Sequence, residues 1–209
     1  MIREDIVVGP FMCNCVILGC EKTREGIVID PGDEAEEILH IVRRLDLKIK
    51  HLVHTHGHLD HIGATAQVKA ETGATILLNK GDLPLYESLA KQAAMFGLGV
   101  REPAPVDLFL DDGDTISFGE HTMKVIHTPG HSPGSLCFKL DEREELLFSG
   151  DTLFQYSIGR TDLWGGSFEK IIASIKDRLL TMPDDVHVFP GHGPDTHIGA
   201  ERKKNPFLA

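Results

Sequence analysis

Thr55-His56-Gly57-His58-Leu59-Asp60-His61 follows directly on the apolar run Ile49–Val53 and sets four ligand-type side chains within six positions. In extended chain, residues two apart point the same way, so His56 and His58 can grip one cation. The turn through Asp60 and His61 can then present ligands to a second. Imidazole with carboxylate suits zinc, iron or manganese, whereas thiolates would favour softer metals. A lone histidine is ordinarily solvated or hydrogen-bonded. Four such donors at the end of a strand form a metal-site pattern.

Three later residues share that setting. His131 lies in Thr128-Pro129-Gly130-His131-Ser132, after the run Thr122–His127. Asp151 lies in Phe148-Ser149-Gly150-Asp151-Thr152, after Glu145–Ser149. His192 lies in Phe189-Pro190-Gly191-His192-Gly193, after Val186–Phe189. Each follows a glycine, where the backbone can turn sharply. Loops at strand ends are where α/β folds place their sites.

Working outward from these loops, strand-like and helical runs alternate along the chain, an α/β pattern. Strands are expected over Cys13–Leu18, Gly26–Ile29, Ile49–His54 and Thr75–Leu78. The spacing of Ile38, Ile41, Val42 and Leu45 predicts a helix over Glu34–Leu45. Further helices are expected over Ile62–Thr72 and Asp82–Met95, with Pro84 in a first turn that tolerates it. Asp82–Pro105 reads as a surface helix and loop, a cover over the site being the alternative. Asp107–Leu110, Thr115–Phe118 and Thr122–His127 suggest a meander, and Ser135–Leu140 with Glu145–Ser149 a hairpin. Ser167–Leu180 is expected to be a helix capped by Ser167. Val186–Phe189 reads as a strand and His197–Lys204 as a final helix. The halves near 1–106 and 107–209 share a strand–strand–helix rhythm. That suits two sheets packed face to face under outer helices, in one domain spanning 1–209.

The bulk numbers narrow the partners. At 209 residues, 41% hydrophobic and 25% charged, the chain can bury a sizeable core. Its net charge of −11 repels phosphodiester backbones, so nucleic acid is not expected as a partner. No run approaches the roughly 18 apolar residues of a membrane span, and the N-terminus lacks a signal peptide's basic and apolar regions. The four cysteines, Cys13, Cys15, Cys20 and Cys137, are too scattered for a disulfide framework. Cys13 and Cys15 should share one face of a strand as small buried side chains. These readings point to a cytoplasmic protein.

Together the motifs resemble the metallo-β-lactamase superfamily, specifically the short glyoxalase II-like hydrolases. The resemblance rests on His-x-His-x-Asp-His at His56–His61, Gly130-His131, Ser149–Phe154 and Gly191-His192, with Ile29–Gly32 and Asn205–Leu208 also similar. It implies a four-layer αββα sandwich of two mixed sheets with helices outside. It also implies that His56, His58 and His131 bind one metal and that Asp60, His61 and His192 bind another. It further implies that Asp151 bridges both and that Asp60 and Asp151 are the carboxylates of catalysis. The expected cofactor is two zinc ions per chain, with iron or manganese the other metals that suit these donors.

A shared carboxylate leaves room for a bridging hydroxide, available as a nucleophile at neutral pH. The reaction expected is hydrolysis of a small thioester of the hydroxyacylglutathione type, because a thiolate leaves without a general acid. Arg160 occupies the slot where the family has a basic residue and is the candidate substrate contact, its alternative being an internal ion pair with Asp162. Asp162 and Pro194 stand where the family has tyrosines, and the chain stops after Leu208 without the family's basic extension. The carrier thiol therefore stays open. Gly159-Arg160-Thr161-Asp162 is shared with mononuclear-iron persulfide dioxygenases of the same fold, the main alternative activity. A lactonase or phosphodiesterase on this fold is the other.

Two readings complete the set. Asp30 either supports a metal-binding loop from behind or simply forms the turn before Pro31-Gly32. Gly130-His131-Ser132-Pro133-Gly134 fits the Gly-x-Ser-x-Gly pattern of serine hydrolases. Pro133 lacks the N–H that such an oxyanion hole needs, and a strand rather than a helix should follow. That pattern is rejected. His40, His51, His54, His121, His127, His187 and His197 are read as structural or solvated, support of a neighbouring ligand being the alternative for His54 and His127.

Overall fold

The chain enters the fold as an edge strand, β1 (Ile2–Val8), paired antiparallel with β2 (Cys13–Gly19) from Ile2–Gly19 to Val8–Cys13. The computed structural model describes residues 1–100, 102–141 and 145–208. β3 (Glu25–Ile29), β4 (Lys48–Val53), β5 (Thr75–Leu78) and β6 (Leu108–Phe109) extend this sheet, and the last three join it in parallel. The second sheet runs in the order β14 (Thr196–His197), β13 (His187–Pro190), β10 (Glu145–Gly150), β9 (Leu136–Asp141), β8 (His121–His127) and β7 (Thr115–Phe118). Its β10–β13 pair is parallel, so both sheets are mixed, and β11 (Leu153–Phe154) pairs with β12 (Ser157–Ile158) as a small separate ribbon.

Side-chain alternation turns these strands into layers. In β2, Cys13, Cys15 and Ile17 enter one core while Val16 and Leu18 enter another. The first core lies beneath α1 (Ala35–Arg44) and α3 (Thr65–Thr72). The second lies between the sheets and joins Leu18, Ile27 and Val53 to Phe118, Phe138 and Phe148. A third core packs Leu147 and Val188 against α6 (Phe168–Ser174) and α7 (Ile198–Lys204) through Ile171 and Ile198. Three cores between four layers make an αββα sandwich, as the sequence led us to expect.

The departures from expectation each have a local cause. β1 was not foreseen, because Arg3, Glu4 and Asp5 break its apolar alternation; charges are at home on an edge strand. Asp107–Leu110 does not join a meander. Asp107 accepts from Ile76 N–H at 2.7 Å and Leu110 N–H donates to Leu78, which draws β6 into the first sheet. The helix expected over Ile62–Thr72 is two, α2 (Leu59–Ile62) and α3, parted at Gly63-Ala64, where Ala64 N–H turns aside to Pro31 O. The Asp82–Met95 helix is broken between α4 (Leu83–Glu87) and α5 (Leu89–Met95), where Ser88 Oγ donates to Leu85 O. Ser167 caps α6 as expected, but the helix continues as a π-helical turn over Ile175–Leu179.

The ends of β3, β4, β8, β10 and β13 gather at one margin of the sandwich. Leu136 N–H donates to Thr55 O at 2.7 Å and Gly191 N–H to Gly150 O at 2.8 Å, while Asn14 N–H reaches Gly191 O at 2.7 Å. These bonds stitch the loops after β4, β10 and β13 together across the two sheets.

Candidate metal centre

Seven donor side chains meet where those strand ends converge. They form three overlapping groups: His56, His58 and His131; His56, His61 and Asp151; and Asp60, His61 and His192. Within each, the donor atoms lie within 4.8 Å of one another. His131 Nε2 is 3.2 Å from His56 Nε2 and 2.9 Å from His58 Nδ1. His192 Nε2 is 3.3 Å from His61 Nε2 and 3.2 Å from an Asp60 oxygen. The two Asp151 oxygens lie 3.5 Å from His61 Nε2 and from His131 Nε2 respectively, between the outer groups. All the residues singled out as ligands are therefore brought together.

The far sides of the rings decide which nitrogen each presents. His61 Nδ1 meets Asp30 Oδ2 at 2.9 Å, His131 Nδ1 meets Arg160 O at 2.8 Å, and His192 Nδ1 meets Met12 O at 3.2 Å. A carboxylate or carbonyl oxygen can only accept, so each Nδ1 carries a proton and each Nε2 faces inward, where it offers a lone pair once it gives up any proton of its own. His56 follows the same rule at one remove. Thr55 donates its hydroxyl proton to Asp30 at 2.6 Å and receives His56 Nδ1–H at 3.0 Å. His58 alone turns Nδ1 toward the cluster.

This arrangement fits a bound cation. Inward lone pairs so close repel one another unless a positive charge lies between them. Asp151 Oδ1 is buried without a hydrogen-bond partner, an uncompensated acceptor of the kind a metal satisfies. Gly191 is essential to the approach, since a Cβ there would come within 2.3 Å of that same oxygen. Burial, with neighbouring histidines, drives His56 well below the ordinary histidine range and His58 down to about 3, so both are neutral ligands near pH 7. Burial opposes a proton on His61, but the acidic groups around it, Cys13, Asp151, Asp60 and Asp30, raise it well above that range. His192 is raised against its burial by Asp60 and Asp151.

Asp30 touches His61 directly and reaches His56 through Thr55, and it also accepts Thr55 N–H at 2.7 Å. It sits at a positive φ of 51°, which aspartate tolerates better than most residues. Arg160 contributes its backbone carbonyl to His131, while its guanidinium makes a paired contact with Asp162 at 2.7 and 2.8 Å. The internal ion pair considered for Arg160 is thus present. Ser132 is buried, donates to Asp82 at 2.7 Å and precedes β9, as its rejection as a nucleophile required.

Two positioning residues were not singled out from sequence. Buried Asp82 accepts Gly57 N–H and Ser132 Oγ–H on one oxygen and Gly134 N–H on the other, tying the His56–His58 loop to the His131 loop. Gln92, on α5, accepts Leu59 N–H at 3.0 Å and donates to Gly57 O at 3.1 Å. Nothing local marks either, because their partners lie tens of residues away.

Two face-to-face mixed sheets carrying a histidine–aspartate cage at their shared margin define the class of metallo-hydrolase folds. The chain belongs to the metallo-β-lactamase superfamily, whose profile matches residues 8–192. It is 40% identical over 207 residues to the hydroxyacylglutathione hydrolase GloC of Haemophilus influenzae, covering 98% of this chain and 97% of that one. The BLEG-1 B3 metallo-β-lactamase superposes with a TM-score of 0.92 at 36% identity, covering all of both chains. TTHA1623, solved in a di-iron-bound form, gives 0.87 at 36% identity, covering 98% of this chain and all of its own. Among the described residues, no helix is long and apolar enough to cross a membrane.

Proposed function

We propose that the chain is a dinuclear-metal thioester hydrolase of the hydroxyacylglutathione type. The observation that carries this reading is the complete cage of seven donors, with every ring but His58 turned by a partner on its far nitrogen. In it His56, His58 and His131 hold one ion, Asp60, His61 and His192 hold the other, and Asp151 is shared. Zinc is the default pair, while the di-iron form of TTHA1623 supports iron as the alternative. Bound there, such ions bring a water's pKa toward neutrality and polarise a carbonyl. The similarity to GloC supports a thioester as the bond cleaved.

The chain's own groups hold the parts in place. Asp30, through His61 and Thr55, keeps donors of both groups in one tautomer and orientation. Arg160 receives a carboxylate of the carrier thiol; its partner Asp162 is exposed, and an exposed pair is readily exchanged. A cytoplasmic location belongs to the same proposal, resting on four unpaired cysteines. The second reading, an iron-dependent persulfide dioxygenase, rests on Gly159-Arg160-Thr161-Asp162 alone.

The test is metal analysis of fully active protein alongside thioester and persulfide assays. Two ions per chain and glutathione-thioester hydrolysis are expected. Asp151→Ala should lose both ions and His192→Ala chiefly one. A single iron with oxygen uptake on glutathione persulfide would overturn the proposal.

A further inference from the structure

A cavity of about 320 Å³ lies beside the cage, between the β1–β2 turn, the start of α1 and the loop at 98–100. That size is within the range of small-molecule sites. Val8, Phe11, Leu59, Leu98 and Val100 give it apolar walls, and Asp60 lines its edge. The Asp60 carboxylate lies 3.2 Å from His192 Nε2, so cavity and cage share a residue. Phe11 meets Phe96 edge to face at 4.9 Å, joining the two flanking loops above it.

The lining says which part of a substrate enters. Its charged side chains, among the described residues, are Asp33 and Asp60, both acidic. With Asp60 given over to the metal, the lining among the described residues holds no cation to pair with a carboxylate of a carrier such as glutathione, and Arg160 stands instead beside His131. A two- or three-carbon acyl group would fill little of it, and further methylenes would lie against the side chains of Val8, Phe11, Leu59, Leu98 and Val100. We propose that this cavity is the acyl site and that it favours thioesters whose acyl group carries an apolar chain. This rests on the hydrolase reading for turnover, but the cavity's preference can be measured without it.

The experiment uses metal-loaded protein and two series. The first is binding of acetate, butanoate and hexanoate by calorimetry, in which the carboxylate is constant and only the chain varies. The second is kcat/KM for the corresponding acyl-glutathione thioesters. Affinity should rise about fourfold for each added methylene, and kcat/KM should rise with it. Leu98→Ser, on an exposed wall, removes apolar surface without adding charge and should flatten both series. A flat wild-type series, or a slope that Leu98→Ser leaves intact, overturns the acyl-site assignment even if thioesters are hydrolysed. Tighter hexanoate binding without thioester turnover would support the cavity's preference and sink the hydrolase reading instead.

Discussion

Asp82 carries three hydrogen bonds on a carboxylate that touches no donor of the cage, yet two of the donor loops hang from it. Burial raises its pKa, and the donors from Ser132, Gly57 and Gly134 offset part of the cost of keeping it ionised. Asp82→Ala would leave two buried N–H groups and a hydroxyl without that acceptor, and would free the loop bearing His56 and His58 to drift from His131. Outer partners of this kind typically change metal affinity ten- to a hundredfold. We expect a loss of that order for the ion between His56, His58 and His131, measured by competition with a chelator. The ion between Asp60, His61 and His192 should weaken less. Equal weakening of both would show that Asp82 supports the fold as a whole rather than this loop.

At the scale of elements, α2 presents Asp60 and His61 although four residues are too few to sustain a helix alone. Its first amide, Leu59 N–H, is satisfied by Gln92 on α5, whose amide group also holds Gly57 O and Leu85 O. The helix is therefore held in place by its neighbour. Gln92→Ala removes the acceptor of Leu59, and a net hydrogen bond is worth about 0.5–1.5 kcal/mol. Amide exchange over 57–62 should quicken by roughly two- to tenfold while the central strands keep their rates. Exchange that stays at the wild-type rate would mean that α2 is held from its other side, where a Cβ on Gly32 would come within 1.6 Å of Asp60 O.

For the whole molecule, the cage spans both sheets, with four donors before β5 and three after β8. Metal bound there would therefore stabilise the sandwich as a unit. At a hundredfold excess over Kd it should add about 2.7 kcal/mol, so chelation should lower Tm by roughly 5–10 °C at neutral pH. The pH dependence has a definite sign. His56 and His58, with lowered pKa values, need shed no proton near pH 7. His61 and His192, with raised values, hold protons that a metal must displace. Acidification from neutral pH therefore weakens metal binding by about tenfold per unit for each displaced proton. In the stripped protein, the stabilisation from protonated His61 and His192 is fully present below the unfolded pKa near 6.5 and is lost as pH rises through their folded values. The gap in Tm between loaded and stripped protein should close as pH falls from 7.5 to 5.5, and excess metal should reopen it. A gap independent of pH would rule out these two histidines as displaceable-proton ligands.

The cluster of candidate donors was legible in the one-dimensional chain because its members follow local patterns. Four donors fall within His56–His61, and each later donor follows a glycine after an apolar run. The layered α/β architecture was legible for a similar reason, since strand and helix periods are local. What the linear pattern could not carry were choices between distant partners. β1 is a strand because β2 supplies its ladder, and Asp107 sends β6 to the first sheet through Ile76 and Lys69. Asp30 could have been only a turn residue; its contacts with Thr55 and His61, 25 and 31 positions away, show what else it does. Arg160 could have faced substrate or Asp162, and in the fold its guanidinium lies against Asp162. Asp82, Gln92 and the cavity beside Asp60 had no local signature. The sequence by itself determined which atoms could bind a metal and where the strongly periodic strands and helices would fall, because both are written in neighbouring residues. Only the tertiary structure decided which ring nitrogen faces inward and which loops are tied together, because those depend on acceptors that packing brings from elsewhere in the chain.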